Sequence, residues 1–172
     1  KAEHNHLLQE ALDRLLPRQD GARPSVRLMI LGSESDDLEL MRLIEACGAN
    51  IVIDDHCTGS RYFWNEVSPE ADPLKAIAAR YIQRPACPQK DWLEGQRLQH
   101  ISLLAQEYRA QGAIILLQKF CDPHQYDMPA LLAVFEERHI PVLTLECDVS
   151  IPAGQFRTRI QAFLEILEAE ST

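Results

Sequence analysis

Four short apolar runs constrain the fold of this chain more than any other feature. They cover residues 26–31, 50–55, 113–117 and 141–146, and each leads into a turn of small or polar residues. Helical periodicity follows or precedes every run. The runs at 26–31 and 113–117 are apolar at nearly every position, the mark of strands buried on both faces of a parallel sheet. Parallel strands need long crossovers, and the intervening helical segments supply them. The expectation is an α/β fold of three layers. A parallel sheet of about four strands carries helices on both faces, flavodoxin- or Rossmann-like, with right-handed crossovers.

The helices are placed by apolar spacing. Leu7, Leu8, Ala11, Leu12, Leu15 and Leu16 make an amphipathic N-terminal helix over 3–16, and the breaker-rich link 17–24 follows it. The division is therefore 1–23 as helix and linker, and 24–172 as the α/β domain. The helix is either an appendage on that domain or the end of a preceding one. Further helices are expected over 38–46, closed by Gly48, over 74–82, over 92–110 and over 154–167. In the helix over 92–110 the buried face is Leu93, Leu98, Ile101, Leu104, Ala105 and Tyr108. Another helix is expected over 129–138, with Pro129 in its first turn, where no backbone N–H is needed. No internal repeat is present.

Composition narrows the function. The 172 residues suffice for one α/β domain with a core, and the 46% hydrophobic content argues against disorder. The net charge of −9 and the lack of a dense Lys/Arg cluster argue against nucleic acid as a partner. No apolar run approaches the roughly 20 residues of a membrane span, and no secretory signal is visible. Five cysteines, an odd number with no CxxC pair, argue against a disulfide framework or a self-contained zinc site. That usage fits the reducing cytoplasm. A chain starting at Lys1 rather than Met is expected to be a fragment or a trimmed chain.

Chemistry is expected at the carboxyl ends of the strands, where open parallel sheets place their sites. Gln118-Lys119-Phe120-Cys121-Asp122-Pro123-His124 follows the third strand. A thiol there is a candidate nucleophile, redox group or metal ligand. His124 is a candidate proton donor or base, or a residue that merely caps a helix. After the first strand, Gly32-Ser33-Glu34-Ser35-Asp36-Asp37 reads as an anion site at a helix N-terminus or as an ordinary capped helix. It is neither GxGxxG nor a P-loop. After the second strand, Cys57, Thr58, Gly59, Ser60 and Arg61 form another small-residue turn, either a rim of the Cys121 crevice or a plain cap. Cys147 ends the fourth strand as a second ligand or a buried thiol, and Cys87 is expected as a small core hydrophobe.

The phrases 54–63, Ala79-Arg80-Tyr81 with Cys87-Pro88, 118–124, Leu145-Glu146-Cys147-Asp148 and 154–163 together resemble one family. They are similar, in order along nearly the whole chain, to the second half of subunits of ATP-dependent benzoyl-CoA reductase and the 2-hydroxyacyl-CoA dehydratases. The phrase around Cys121 is closer to the reductase branch, so the resemblance implies low-potential electron transfer to an aromatic acyl-CoA, with 2-hydroxyacyl-CoA dehydration as the alternative. The resemblance implies a subunit of two α/β domains holding a 4Fe-4S cluster between them on three cysteines, two from the first domain and one from the second. Cys121 matches the last. It also implies a homologous partner subunit, an acyl-CoA substrate and a separate ATP-driven activator that injects a low-potential electron. The reductase reduces an aromatic ring held as a thioester; the dehydratase expels water through a ketyl radical.

On this reading the chain is the C-terminal half of a two-domain subunit, inactive without the first domain and its two ligands. Ser33, Ser35, Thr58, Gly59, Ser60, Arg61, Gln118 and Lys119 are the expected contacts to acyl-CoA. Arg61 would pair with a phosphate. Cys57 and Cys147 would stand behind the ligand. Two other readings stay open: a non-catalytic assembly or electron-relay module, and an enzyme with Cys121 as nucleophile and His124 as base.

Overall fold

The structure, a computed structural model, describes residues 1–16, 26–35, 38–69, 72–90, 95–148 and 151–170. The strands are β1 (Val26–Gly32), β2 (Ala49–Asp55), β3 (Gly112–Gln118) and β4 (Val142–Cys147), each within one residue of expectation. All pair in parallel in the order β2-β1-β3-β4. The chain steps from β1 outward to β2, then crosses back to β3 beside β1. The carboxyl ends of β1 and β3 therefore flank the point where strand order reverses, the place where such sheets open a crevice.

Alternation along the central strands divides the core into two layers. Leu28, Ile30, Ile114 and Leu116 face α2 (Leu38–Ala46) and α7 (Ala153–Glu170), packing with Leu40, Ile44, Phe156, Ile160 and Leu164. Met29, Leu31, Ile115 and Leu117 face the opposite way, onto α5 (Gln96–Glu107) and α6 (Asp122–Glu137). Here they meet Ile101, Leu104, Leu131 and Phe135. Both faces are covered, as near-continuous apolar strands require.

Gly32 closes β1 with φ +127, and a Cβ there would lie 2.0 Å from the backbone oxygen of Leu116. Backbone cannot yield as a side-chain tip can. Gly32→Ala is expected to cost roughly 2–4 kcal/mol from strain and overlap, read as a lowered urea midpoint. A cost under about 0.5 kcal/mol would mean that β1 and β3 separate easily at this end.

Three expectations about the helices change. The helix after β3 begins at Asp122, seven residues earlier than expected, so Cys121 is its N-cap and Pro129 lies inside it. Pro123, in the first turn, is the proline that needs no N–H there, whereas Pro129 deprives the interior of one hydrogen bond. The turn after β2 contains a four-residue helix, α3 (Ser60–Phe63). The helix expected over 92–110 is seen as α5, and residues 92–94, with Leu93, lie outside the described residues. The link 17–24 and Asp36 lie outside them too.

The N-terminal helix, α1 (Ala2–Leu15), has no buried residue, and Leu7, Leu8, Leu12 and Leu15 are all exposed. In α4 (Pro73–Gln83) only Ala76 is buried, and Leu74, Ile77, Tyr81 and Ile82 are exposed. No helix among the described residues is long and apolar enough to cross a membrane.

Candidate site at the carboxyl edge of the sheet

The site is built from the turns after β1, β2 and β3. Ser33 is wholly buried and clips β1 to β3. Its backbone N–H donates to the Leu116 carbonyl at 2.9 Å, and its hydroxyl accepts from the Gln118 N–H at 3.1 Å. The Ser33 carbonyl is 2.7 Å from His56 Nδ1. Gln118 Nε2 donates to the Glu34 carbonyl at 2.8 Å. Ser35 is partly buried, and its hydroxyl has no hydrogen-bond partner among the described residues.

After β2 the expected anion cradle is filled by the protein itself. The Ser60 N–H donates to both Asp54 carboxylate oxygens, at 3.0 and 3.2 Å, and the Ser60 hydroxyl donates to the Asp54 carbonyl. Gly59 lies so close to that carboxylate that a Cβ would fall 1.6 Å from Oδ2. A carboxylate caps the N-terminal N–H just as a phosphate would. Arg61 is likewise turned inward. It is 3% exposed and donates to Asp55 through Nε at 3.1 Å and Nη2 at 2.7 Å. Ser33, Ser60 and Arg61 therefore hold the turns together and do not line an open phosphate site. Thr58, Gln118 and Lys119 are the expected contacts whose side chains face outward, Lys119 lying 3.5 Å from Asp148.

Beneath the turns lies a buried charged cluster. Asp55, at the end of β2, is 0% exposed and accepts from Arg97 Nη1 at 2.8 Å as well as from Arg61. Arg97, on α5, is also 0% exposed and donates through Nε to Asp127 on α6 at 2.9 Å. Burial by itself would raise the Asp55 carboxyl; the hydrogen bonds and charges of Arg61 and Arg97 outweigh it and hold the group below the usual carboxylate value. His100 Nε2 lies 3.9 Å from Asp55, and its ring meets Trp64 edge-on at 5.2 Å. Arg61 Nη1, Arg97 Nη2, His56 Nε2 and His124 Nδ1 are buried without a hydrogen-bond partner among the described residues.

Three thiols gather above this cluster. Cys57 is exposed, Cys87 and Cys121 are half-buried, and charge on Cys121 or Cys87 would be felt at Cys57. Cys87 thus belongs to the edge and not to the core as expected. The Pro85–Pro88 loop leads into a 3-10 turn (Pro88–Lys90) that packs on α6. Cys147 is 5% exposed and packs among the α7 side chains, the buried-thiol alternative. His124 is 2% exposed, and its Nε2 is 3.5 Å from Cys57 Sγ. The side-chain partner of His124 is Cys57 and not Cys121, the pairing that the nucleophile–base reading would need, because α6 starts at Asp122 and turns the His124 ring inward toward the turn after β2.

Burial, with the charges of Arg97 and Arg61, lowers the His124 ring to about 4. Burial also raises the Cys57 thiol, against the pull of Arg61. An activated thiolate–imidazolium couple needs the opposite shifts. Cys57 and His124 therefore rest as a neutral pair.

Among the described residues no group of three or more His, Cys, Asp and Glu is arranged to hold a metal ion. Cys57, Cys87 and Cys121 share the edge without forming such a group, and Cys121 stands at the N-cap of α6. That donor set suits one corner of an iron–sulfur cluster and not its whole cage.

The family described as 2-hydroxyglutaryl-CoA dehydratase, D-component, matches residues 1–167. The chain belongs to this family. It is 32% identical over 169 residues to the (R)-phenyllactyl-CoA dehydratase beta subunit of Clostridium sporogenes, covering 97% of this chain and 45% of that one. It is 27% identical over 148 residues to a benzoyl-CoA reductase subunit of Thauera aromatica, covering 84% and 38%. It is 24% identical over 172 residues to the beta subunit of (R)-2-hydroxyglutaryl-CoA dehydratase of Acidaminococcus fermentans, covering 97% and 45%. The chain thus spans less than half the length of these relatives. Asp55, Arg97 and Asp127 were not expected at the site from the sequence. One signal was available. Arg97 falls four residues before Ile101 on the apolar stripe of α5, where an unpaired charge would be prohibitive.

Proposed function

We propose that this chain is the Cys121-bearing domain of an acyl-CoA-processing subunit, and that Cys121 supplies one ligand to a 4Fe-4S cluster whose other ligands lie outside the chain. The observation that carries the reading is the position of Cys121. It is a half-buried thiol at the N-cap of α6, in the turn that follows β3 at the carboxyl edge of the sheet. A thiolate is a soft ligand, and a helix N-terminus favours its negative charge. The cluster, when bound, supplies one-electron transfer at low potential.

This chain's own residues do the rest. The Asp55–Arg61–Arg97–Asp127 cluster holds the β2 and α6 turns in register. Burial of the His124 ring beside Cys57 helps to keep water from the floor. Thr58, Gln118 and Lys119 form the outward polar rim on which the thioester end of acyl-CoA would rest. The remaining partners on this reading are a preceding α/β domain, a homologous subunit and an ATP-dependent activator.

The reaction is dehydration of a 2-hydroxyacyl-CoA. The support is the 32% identity to a subunit named for that reaction, along 97% of the chain. Ring reduction of an aromatic acyl-CoA, favoured by the phrase around Cys121, is the second reading, supported by the 27% identity to a benzoyl-CoA reductase subunit.

The test is iron and sulfide content with electron paramagnetic resonance after anaerobic reconstitution of the full-length subunit. Cys121→Ala is expected to abolish the cluster signal, while Cys147→Ala leaves it. A cluster that survives Cys121→Ala would sink the ligand assignment.

A further inference from the structure

We propose that Arg97 is a positioning residue whose buried guanidinium fixes the Cys57–His124 contact beside Cys121. Its connections are what assign it that role. Arg97 Nη1 is 2.8 Å from Asp55 Oδ2, and Arg97 Nε is 2.9 Å from Asp127 Oδ2. Asp55 ends β2, and Cys57 lies two residues beyond it. Asp127 lies three residues beyond His124, about one turn further along α6, whose N-cap is Cys121. One side chain from α5 therefore joins the two arms that meet where Cys57 Sγ comes within 3.5 Å of His124 Nε2.

Arginine suits this span for a geometric reason. The planar guanidinium presents Nε and Nη1 at a set angle to two carboxylates, whereas a lysine ammonium is a point charge on a flexible stem. Lysine preserves the charge but not the span. Nη2 of the same group is buried and has no hydrogen-bond partner among the described residues. The functional meaning of the contact rests on the cluster reading above, since it sets the distance between the β2 turn and the Cys121 turn.

The experiment uses this chain without any cluster, with histidine side chains labelled with nitrogen-15. At pH 7 the His124 ring is neutral, and its Nε2 resonance reports the contact with sulfur. The charged and titratable groups that act on the ring are Arg97, Arg61, Asp55 and His56. Cys57→Ala is expected to displace the Nε2 resonance in the otherwise unchanged chain. In Arg97→Lys and in Asp127→Asn that Cys57-dependent displacement is expected to vanish, with cooperative thermal unfolding retained. Asp127 is 13% exposed, so Asp127→Asn opens the bridge at its mildest point. Variants that fold and keep the full displacement would overturn the positioning role and leave Arg97 as a stabilising residue only. In the full-length subunit, Asp127→Asn is expected to shift the reduction potential of the cluster. A full-length protein that binds no cluster would overturn the cluster reading and leave the resonance result standing.

Discussion

Asp55→Ala is expected to cost about 3–5 kcal/mol, the range for breaking a buried ion pair from one side. The carboxylate is 0% exposed and receives Arg61 Nε, Arg61 Nη2 and Arg97 Nη1. Without it, two buried guanidinium groups are left with Asp127 as the other carboxylate of the cluster, and Asp127 pairs with Arg97. Arg61 keeps one hydrogen bond, from Nη2 to the Asp55 carbonyl at 2.7 Å. A domain of this size has about 5–15 kcal/mol to lose, so the variant is expected to fold with a much lowered urea midpoint and to be marginal only at the low end of that range. Urea unfolding at pH 7 measures it. Asp55→Asn is expected to cost less, because the amide oxygen still accepts one hydrogen bond while the charge goes unanswered. A loss below about 1 kcal/mol for Asp55→Ala would show that water reaches the cluster and screens it.

Stability is expected to fall as pH drops from about 6.5 toward 4, starting above the range in which the carboxylates titrate. The His124 ring is lowered to about 4 by burial and by Arg97 and Arg61, against an ordinary value of 6.5. Between those values the unfolded chain binds a proton that the folded chain refuses, so stability rises with pH through the window and is flat above it. Integrated, the single group contributes roughly 3 kcal/mol. His56 and His100 are also lowered by burial and act in the same direction. Asp55, held low by its arginines, adds a further loss only at more acidic pH, as its folded-state value is approached. The check is the urea midpoint from pH 4 to 8, for the unaltered chain and for His124→Gln. The glutamine variant is expected to show a shallower slope across the window. An unchanged slope would mean that the ring is open to solvent.

Much of the fold was legible because its signals are local. Val26 to Gly32 and Gly112 to Gln118 are apolar almost without interruption, and only a strand covered on both faces tolerates that in a domain of this size. The small-residue turns follow from the same logic, and Gly32 needs its φ of +127 to bring β1 against Leu116. The start of α6 was misjudged because two prolines competed for one role. Pro129 looked like a first-turn residue, and nothing in the local pattern shows that Pro123 already filled that place.

The site was legible in part. Its location at the carboxyl edge and the prominence of Cys121 follow from strand order and motif. The roles of Ser33, Ser60 and Arg61 do not. Each is a polar residue in a turn that suits a phosphate, and only the neighbours show that Leu116, Asp54 and Asp55 engage them first.

By itself, then, the sequence determined the α/β class, the strand boundaries to within one residue and the family. These depend on periodicity and on residues close in the chain. The tertiary structure alone decided which charges pair, that His124 meets Cys57 and not Cys121, and that Cys87 comes to the same edge. Apart from Asp55–Arg61, six positions apart, those contacts join residues 30 to 67 positions apart, and burial decides their sign. A charge is tolerated inside the sheet only where a partner from another element arrives to meet it.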